Sequence, residues 1–238
     1  MKLAIMQPYL FPYIGYFQLI NAVDRFVVYD NIQFTKKGWF NRNRILINGK
    51  DQMFTVPIKK DSDYLDVRDR ILANNYPEYI QKILRQIENA YRKAPFFDAV
   101  FKLVKTCFSH PSENLFELAF FSLQSVIKHL EIDTELIVSS DLKINHSLKG
   151  QARVIAICDM LGAQTYINAI GGVELYSHDT FKKNGIKLNI IKANTTEYSQ
   201  FDNNFIPWLS IIDVMMFNSI AKIKIMLQDF SFISRGYN

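Results

Sequence analysis

Leu3-Ala4-Ile5-Met6, then Gln7-Pro8-Tyr9-Leu10-Phe11, then Pro12-Tyr13-Ile14-Gly15-Tyr16-Phe17 and, further on, Phe26-Val27-Val28-Tyr29-Asp30 decide the fold. The first run is a short buried strand and the second a loop. Pro12 sits in the first turn of a helix that carries Phe17, Leu19, Ile20 and Val23. The run from Phe26 is another apolar strand, closed by Asp30. Strand, helix and strand in this order predict a β-α-β unit with parallel strands and a right-handed crossover. Ligand-binding loops in such sheets leave the C-terminal ends of the strands, here Gln7-Pro8-Tyr9 and Asp30-Asn31-Ile32-Gln33.

Beyond this unit, Arg44–Ile47 and Met53–Ile58 flank Asn48-Gly49-Lys50-Asp51, a hairpin signal because Asn and Gly tolerate positive φ. Three helices are expected between Pro77 and Leu130, from Tyr79/Ile83/Ile87, Phe97/Val100/Val104 and Leu115/Leu118/Phe121/Ser125, punctuated by Pro95 and Pro111. Leu136–Ser139, Thr165–Asn168 and Leu188–Ile191 read as further buried strands, with helices at about 149–160, 173–184 and 209–228. No repeat or linker interrupts the chain. The expectation is one α/β domain over 1–238, with a mainly parallel Rossmann-like sheet, an antiparallel hairpin and a helical insertion at about 76–131.

The 238 residues are 49% hydrophobic, enough for a full core without disulfide or metal staples. Aromatic residues make up 14%, more than a lean core needs, so some rings are expected to face a ligand or partner. Lys and Arg total 28 against 23 acids, a net +5 that suits a phosphate-bearing partner but falls short of a duplex-DNA-binding face. Cys107 and Cys158 lie among apolar neighbours with no CxxC or Cys/His cluster, so no metal site is expected and a reduced, cytoplasmic protein fits. The apolar start is cut at Gln7-Pro8, too short for a signal-peptide core, and no run is long enough to span a membrane. His110, His129, His146 and His178 are scattered and read as surface or helix-end residues. Met215-Met216 reads as core helix.

Three segments can carry chemistry. The densest runs from Asp30 to Arg44: Asn31, Gln33, Lys36, Lys37, Trp39, Asn41, Arg42, Asn43 and Arg44 combine cations, amides and an indole. Arg is a planar fork for carboxylate or phosphate, Asn both donates and accepts, and Trp offers a plane for a base or sugar. A sugar nucleotide calls for that mixture; a solvated loop leading into an edge hairpin is the alternative. Gln7 to Tyr16 is the second segment, with Tyr9 and Tyr16 polar-tipped and Gly15 permitting close approach at a helix N-terminus; the alternative is a proline-shaped turn whose rings fill the sheet edge. The third, Asn168-Ala169-Ile170-Gly171-Gly172, follows a strand and precedes a helix, where glycines admit a phosphate, or where a plain turn would do.

Met6-Gln7-Pro8 with Pro12, Gly15-Tyr16-Phe17 and Ile20; Asp30 with Gln33-Phe34, Lys36, Trp39 and Asn41-Arg42-Asn43-Arg44; Ile157-Cys158 with Leu161-Gly162-Ala163, Tyr166, Gly171 and Tyr176; and Phe205-Ile206-Pro207 with Leu209-Ser210-Ile211-Ile212-Asp213 occur in one order along almost the whole chain. Through these blocks the chain resembles the WbqC-like family. The resemblance implies a role in bacterial surface-polysaccharide (O-antigen) synthesis as a transferase that moves a glycyl-type aminoacyl or acyl group to an amino-sugar nucleotide. In that role Asp30 would deprotonate or orient the acceptor amine. Lys36, Arg42 and Arg44 would hold phosphate or developing negative charge, Asn41 and Asn43 would orient sugar or carbonyl, and Trp39 would stack. Gln7, Tyr9, Gly15, Tyr16, Asn31, Gln33, Asn168, Gly171, Gly172 and Tyr176 would complete the binding surface. The partners are then a sugar nucleotide and an activated acyl donor, with aminoacyl-tRNA left open and a homo-oligomer admitted.

The opening also resembles nucleotidylyltransferases and pantothenate-synthetase-like ligases, whose His-x-Gly-His motif starts the first helix. Tyr13 and Tyr16 stand at the two histidine positions. Neutral tyrosines cannot supply the positive charge of adenylyl transfer, so ATP with magnesium belongs to an alternative, an amide ligase. A non-catalytic sugar-nucleotide-binding protein is the other.

Overall fold

The computed structural model describes residues 1–201 and 204–233. Strand β1 (Lys2–Met6), helix α1 (Ile14–Asn21) and strand β2 (Arg25–Val28) form the expected unit, with Leu3 opposite Arg25 and Met6 opposite Val28 in parallel register. Successive strand side chains point to opposite faces. Ala4, Phe26 and Val28 therefore enter one apolar cluster while Leu3, Ile5 and Val27 enter another, which is why both strands read as unbroken apolar runs.

Strands β3 (Arg42–Ile47) and β4 (Lys50–Thr55) make a separate antiparallel hairpin. Its turn is tighter than the sequence suggested. Asn48 and Gly49 take φ of 51° and 72°, so two residues suffice and pairing resumes at Lys50. Helices α2 (Tyr76–Tyr91), α3 (Phe97–Phe108) and α4 (Leu115–His129) follow as expected. One cluster runs without a break from Ala4 and Phe26 through Ile45 and Phe54 of the hairpin to Ile83, Val104 and Leu118 of these helices.

Strand β5 (Glu135–Val138), helix α5 (Gly150–Leu161), strand β6 (Thr165–Ala169), helix α6 (His178–Lys183) and strand β7 (Lys187–Ala193) supply the rest of the parallel sheet. The sheet order is β5-β2-β1-β6-β7, extended by an antiparallel edge strand β8 (Phe230–Ile233) that the sequence reading did not include. The helix expected over 209–228 is two, α7 (Ile211–Phe217) and α8 (Ile220–Met226). Asn218 is extended and the Ser219 hydroxyl accepts from the Lys222 N–H at 3.3 Å, so a new N-cap restarts the helix inside one apolar run. In the same way the helix expected over 173–184 begins only at His178, capped by Ser177, after 3-10 turns at Ile170–Leu175.

From β1 the chain builds β2 and β5 on one side, then crosses to β6 and β7 on the other. The boundary between β1 and β6 is thus a topological switch point, where a crevice opens outside the strand C-termini. Cys107 and Cys158 are buried and unpaired, and burial pushes their thiols up to about 11 and about 12. Among the described residues, no helix is long and apolar enough to cross a membrane and no group of His, Cys, Asp or Glu is arranged to hold a metal.

Candidate functional site

A cleft of about 1040 Å³ occupies the switch point. Gln7 and Tyr9 line it from the first βα connection, Gly15 and Tyr16 from the start of α1, Asn31 and Gln33 from beyond the end of β2, Trp39 from the loop before the hairpin, Asn43 and Arg44 from the hairpin itself, and Asn168, Gly171, Gly172 and Tyr176 from the end of β6 and the turns after it. The three segments read from the sequence therefore meet in one cavity.

The first loop is strained and clamped. Phe11 takes φ of 44°, unusual for a bulky residue. Asn43, 4% exposed, donates its amide to the Leu10 and Phe11 carbonyls at 2.9 and 2.6 Å while its Oδ1 accepts from the Arg44 N–H. The Ser210 hydroxyl donates to the same Phe11 carbonyl at 2.7 Å. All of Asn43's hydrogen-bonding capacity shown here goes to backbone, so it positions the loop. Asn43→Ala should lower unfolding free energy by about 2–3 kcal/mol, because two buried carbonyls lose a donor; urea denaturation measures it, and a loss below a few tenths would show the clamp idle.

Further along, a Cβ on Gly15 would lie 2.3 Å from the Tyr13 ring, so glycine lets that ring lie across the start of α1, edge-on to Trp208 at 5.7 Å. The Tyr16 hydroxyl donates to the Gln7 carbonyl at 2.8 Å and the Tyr9 hydroxyl to Gln7 Oε1 at 3.1 Å. Burial raises the pKa of Tyr9, Tyr13 and Tyr16, which keeps all three hydroxyls neutral.

The most deeply buried cation of the cleft was not a sequence candidate. Arg153, in the first turn of α5, is 6% exposed and makes no ion pair among the described residues. Its guanidinium lies 4.7 Å over the Tyr29 ring and is held to His146 by contacts of 3.4 Å to the carbonyl and 3.2 Å to Nδ1, leaving Nε without a partner. Lys149 and Gly150 at the start of α5 also line the cleft, and the helix has neither a side-chain cap bond nor an acid in its first turn. Its free N–H groups and positive dipole end add to Arg153. Asn168, 5% exposed, has an amide nitrogen with no acceptor, and a Cβ on Gly172 would lie 2.1 Å from it. A side chain at position 172 would therefore displace the Asn168 amide; a Cβ on Gly171 meets nothing within 4 Å.

Among the described residues, Asp66 is the one acid in the lining, and its pKa is raised, chiefly by burial and against the pull of Arg68 and Arg153. Neither Asp66 nor Arg153, Lys149, His146, Tyr64 and Trp208, all in the lining, was singled out from the sequence as a site residue. His146 is exposed, as its reading as a surface or helix-end residue expects, and it also borders the cleft.

Four expected site residues lie elsewhere. Asp30 is 2% exposed and outside the lining; its Oδ1 accepts from the Ser140 N–H at 2.9 Å, tying the end of β2 to the turn after β5. Lys36, Asn41 and Arg42 line a second pocket. There Lys36 pairs with Asp63 at 2.8 Å, Asn41 donates to the Val56 carbonyl at 2.8 Å, and Arg42 donates to the carbonyls of Gly38, at 2.9 Å, and Lys37. Arg44 stays in the main cleft, paired with Asp51 at 2.9 Å and donating to the Trp208 carbonyl at 3.2 Å. The Arg42 and Arg44 guanidinium carbons lie 5.8 and 5.7 Å from the centroid of the Trp39 ring.

Residues 7–225 match the model of the WbqC-like protein family. A curated relative, the uncharacterized protein Rv1507c of Mycobacterium tuberculosis strain H37Rv, is 28% identical over 217 residues, which is 90% of this chain and 92% of that protein. No solved structure gives a significant match.

Proposed function

The chain belongs to the WbqC-like protein family, and from that premise we propose that it is a transferase moving an acyl or glycyl-type aminoacyl group to an amino-sugar nucleotide, or a related precursor, in surface-polysaccharide synthesis. The observation that carries the reading is Arg153, a buried cation at the start of α5 that makes no ion pair among the described residues, in a cleft lined largely by aromatic rings and amides. A fork of this kind is completed by a phosphate, and rings with amides suit a sugar and a base.

In this reading Arg153, Lys149 and the α5 N-terminus bind the diphosphate, Trp39 and Tyr64 offer planes to the base or sugar, and Asn168 presents its free amide to a ligand carbonyl or hydroxyl. Asp66 rather than Asp30 takes the base role, since it is the carboxylate in the cleft. The acceptor nitrogen attacks the donor's carbonyl carbon, the C–N bond forms as the bond to the donor's carrier breaks, and the amine proton passes to Asp66. Arg44 faces the same space and stabilises the oxyanion.

Incubating the protein with UDP- and dTDP-amino sugars and activated acyl or aminoacyl donors, followed by mass spectrometry, tests the reaction. N-acylated sugar nucleotide should accumulate without AMP or pyrophosphate. Amino-acid-dependent pyrophosphate release would overturn direct transfer in favour of an ATP-dependent ligase.

A further inference from the structure

Segment 33–44 has a different cavity on each side. Gln33, Trp39, Asn43 and Arg44 face the main cleft, while Phe34, Lys36, Asn41 and Arg42 face a pocket of about 430 Å³ closed by residues 55–63 and Arg70. That second pocket is basic: Lys36, Arg42, Lys59, Lys60 and Arg70 oppose Asp61 and Asp63. Lys36 is neutralised by Asp63 and Arg42 is committed to backbone carbonyls. Lys59 and Lys60 are exposed and make no ion pair among the described residues.

Arg70 is the anchor. It is 3% exposed, lies 4.7 Å over the Phe34 ring, donates to the Ser62 carbonyl at 2.7 Å, and has a buried Nε with no partner. Arg70 makes no ion pair among the described residues, and Asp63, the carboxylate near enough to feel its charge, is committed to Lys36; a guanidinium withdrawn from water without a paired carboxylate is unfavourable on its own. Placed against two free lysines, it becomes favourable once an anion enters, and phosphate oxygens match its fork. The arrangement repeats that of Arg153 in the main cleft: a buried arginine, stacked on a ring, with an unused Nε.

We propose that this pocket binds the phosphate or diphosphate of a second ligand, separate from the one in the main cleft, and that this ligand is the phosphate-bearing carrier of the donor group. The carrier assignment rests on the transferase reading; anion binding in the pocket does not. The shared wall would put only the carrier's phosphate behind this segment of chain, the acyl group reaching past it to the acceptor in the main cleft.

Calorimetric titration with inorganic pyrophosphate tests the pocket. In an Arg153→Met background, which weakens the anion site of the main cleft, pyrophosphate should still bind, and adding Lys59→Ser with Lys60→Ser should weaken it at least tenfold without changing the melting temperature, because both side chains are exposed. Arg70→Gln should weaken it as much. In the otherwise natural chain the double lysine change should leave affinity for a UDP-sugar within twofold, which separates this pocket from the cleft. Titrating coenzyme A and ATP into the same background identifies the carrier: tighter binding of one names a thioester or a nucleotide donor, and equality with pyrophosphate shows that the pocket recognises the anion alone. No pyrophosphate binding in Arg153→Met, or binding that the lysine and Arg70 changes leave intact, would overturn the proposal whether or not the transfer reaction is found.

Discussion

Arg153→Met should weaken sugar-nucleotide binding by about 100-fold, or about 2.8 kcal/mol at the standard conversion, while leaving the chain folded. The magnitude follows from what the side chain has left to give. Its contacts to His146 and its stack on Tyr29 fix the fork, so little conformational entropy remains to be lost on binding, and hydrogen bonds to a charged partner contribute about 1.5–3 kcal/mol each. Stability should change little. Replacing a buried, unpaired guanidinium by an apolar side chain of similar length removes a desolvation cost, which offsets the lost cation–π contact of about 1–2 kcal/mol. Arg153→Lys keeps the charge but loses the fork and most of the stack, and should cost about tenfold. Calorimetry with a UDP-sugar at fixed salt, beside circular dichroism, measures both quantities. Unaltered affinity in Arg153→Met would remove the anion site from the cleft and with it the main support for a nucleotide substrate.

The unequal legibility of fold and site in the sequence has a physical cause. Leu3–Met6 and Phe26–Tyr29 announce themselves because a parallel strand is apolar on both faces, and Asn48-Gly49 because few other pairs take two positive φ angles cheaply. The break at Asn218-Ser219 is hidden, since a cap of one hydroxyl is invisible inside an apolar run that satisfies the helical period on either side. Strand β8 is short and its pairing with β7 is a tertiary fact. In the site, the loops after β1 and β6 could be read because parallel sheets place ligands there. Arg153 could not be: within Gln151-Ala152-Arg153-Val154 it looks like one polar position of an amphipathic helix, and only the packing of α5 beside the end of β2 sets it over Tyr29. Asp30 misleads for the converse reason. It ends a strand, where site residues gather, but its carboxylate turns to the Ser140 N–H, more than a hundred positions along the chain. Lys36, Asn41 and Arg42 share a segment with Arg44, and the segment has two faces.

The largest loss of stability should come from Asp213→Ala. Asp213 is fully buried in the first turn of α7, accepting the Tyr91 hydroxyl at 2.7 Å on one oxygen and the Tyr198 hydroxyl at 2.7 Å and Gln200 Nε2 at 2.8 Å on the other. Tyr91 in turn accepts the Leu46 N–H at 2.8 Å, so one carboxylate joins α2, α7, the hairpin and the 198–200 segment. Truncation leaves the Tyr91 and Tyr198 hydroxyls without their acceptor and takes one of several acceptors from Gln200, whose amide keeps the Ile206 carbonyl at 3.1 Å, and should cost about 3–5 kcal/mol. Asp213→Asn keeps the shape and separates charge from structure. Burial raises the Asp213 pKa above its ordinary 3.8, with the three hydrogen bonds pulling only part of the way back. The native state therefore holds the proton more tightly than the unfolded chain. Its contribution is fully present below the ordinary value and is lost as pH rises through the raised one. Asp63, Glu131 and Asp229, whose pKa values are lowered by side-chain hydrogen bonds from Lys36, Lys224 and Thr196 respectively, push the whole-protein curve the other way, so the total stability conceals the effect. Subtracting Asp213→Asn from the natural chain cancels them. That difference, from urea denaturation between pH 4 and 7.5, should move against the natural chain as pH rises; a difference that moves the other way would mean that the hydrogen bonds outweigh burial and that Asp213 is a stabilised carboxylate.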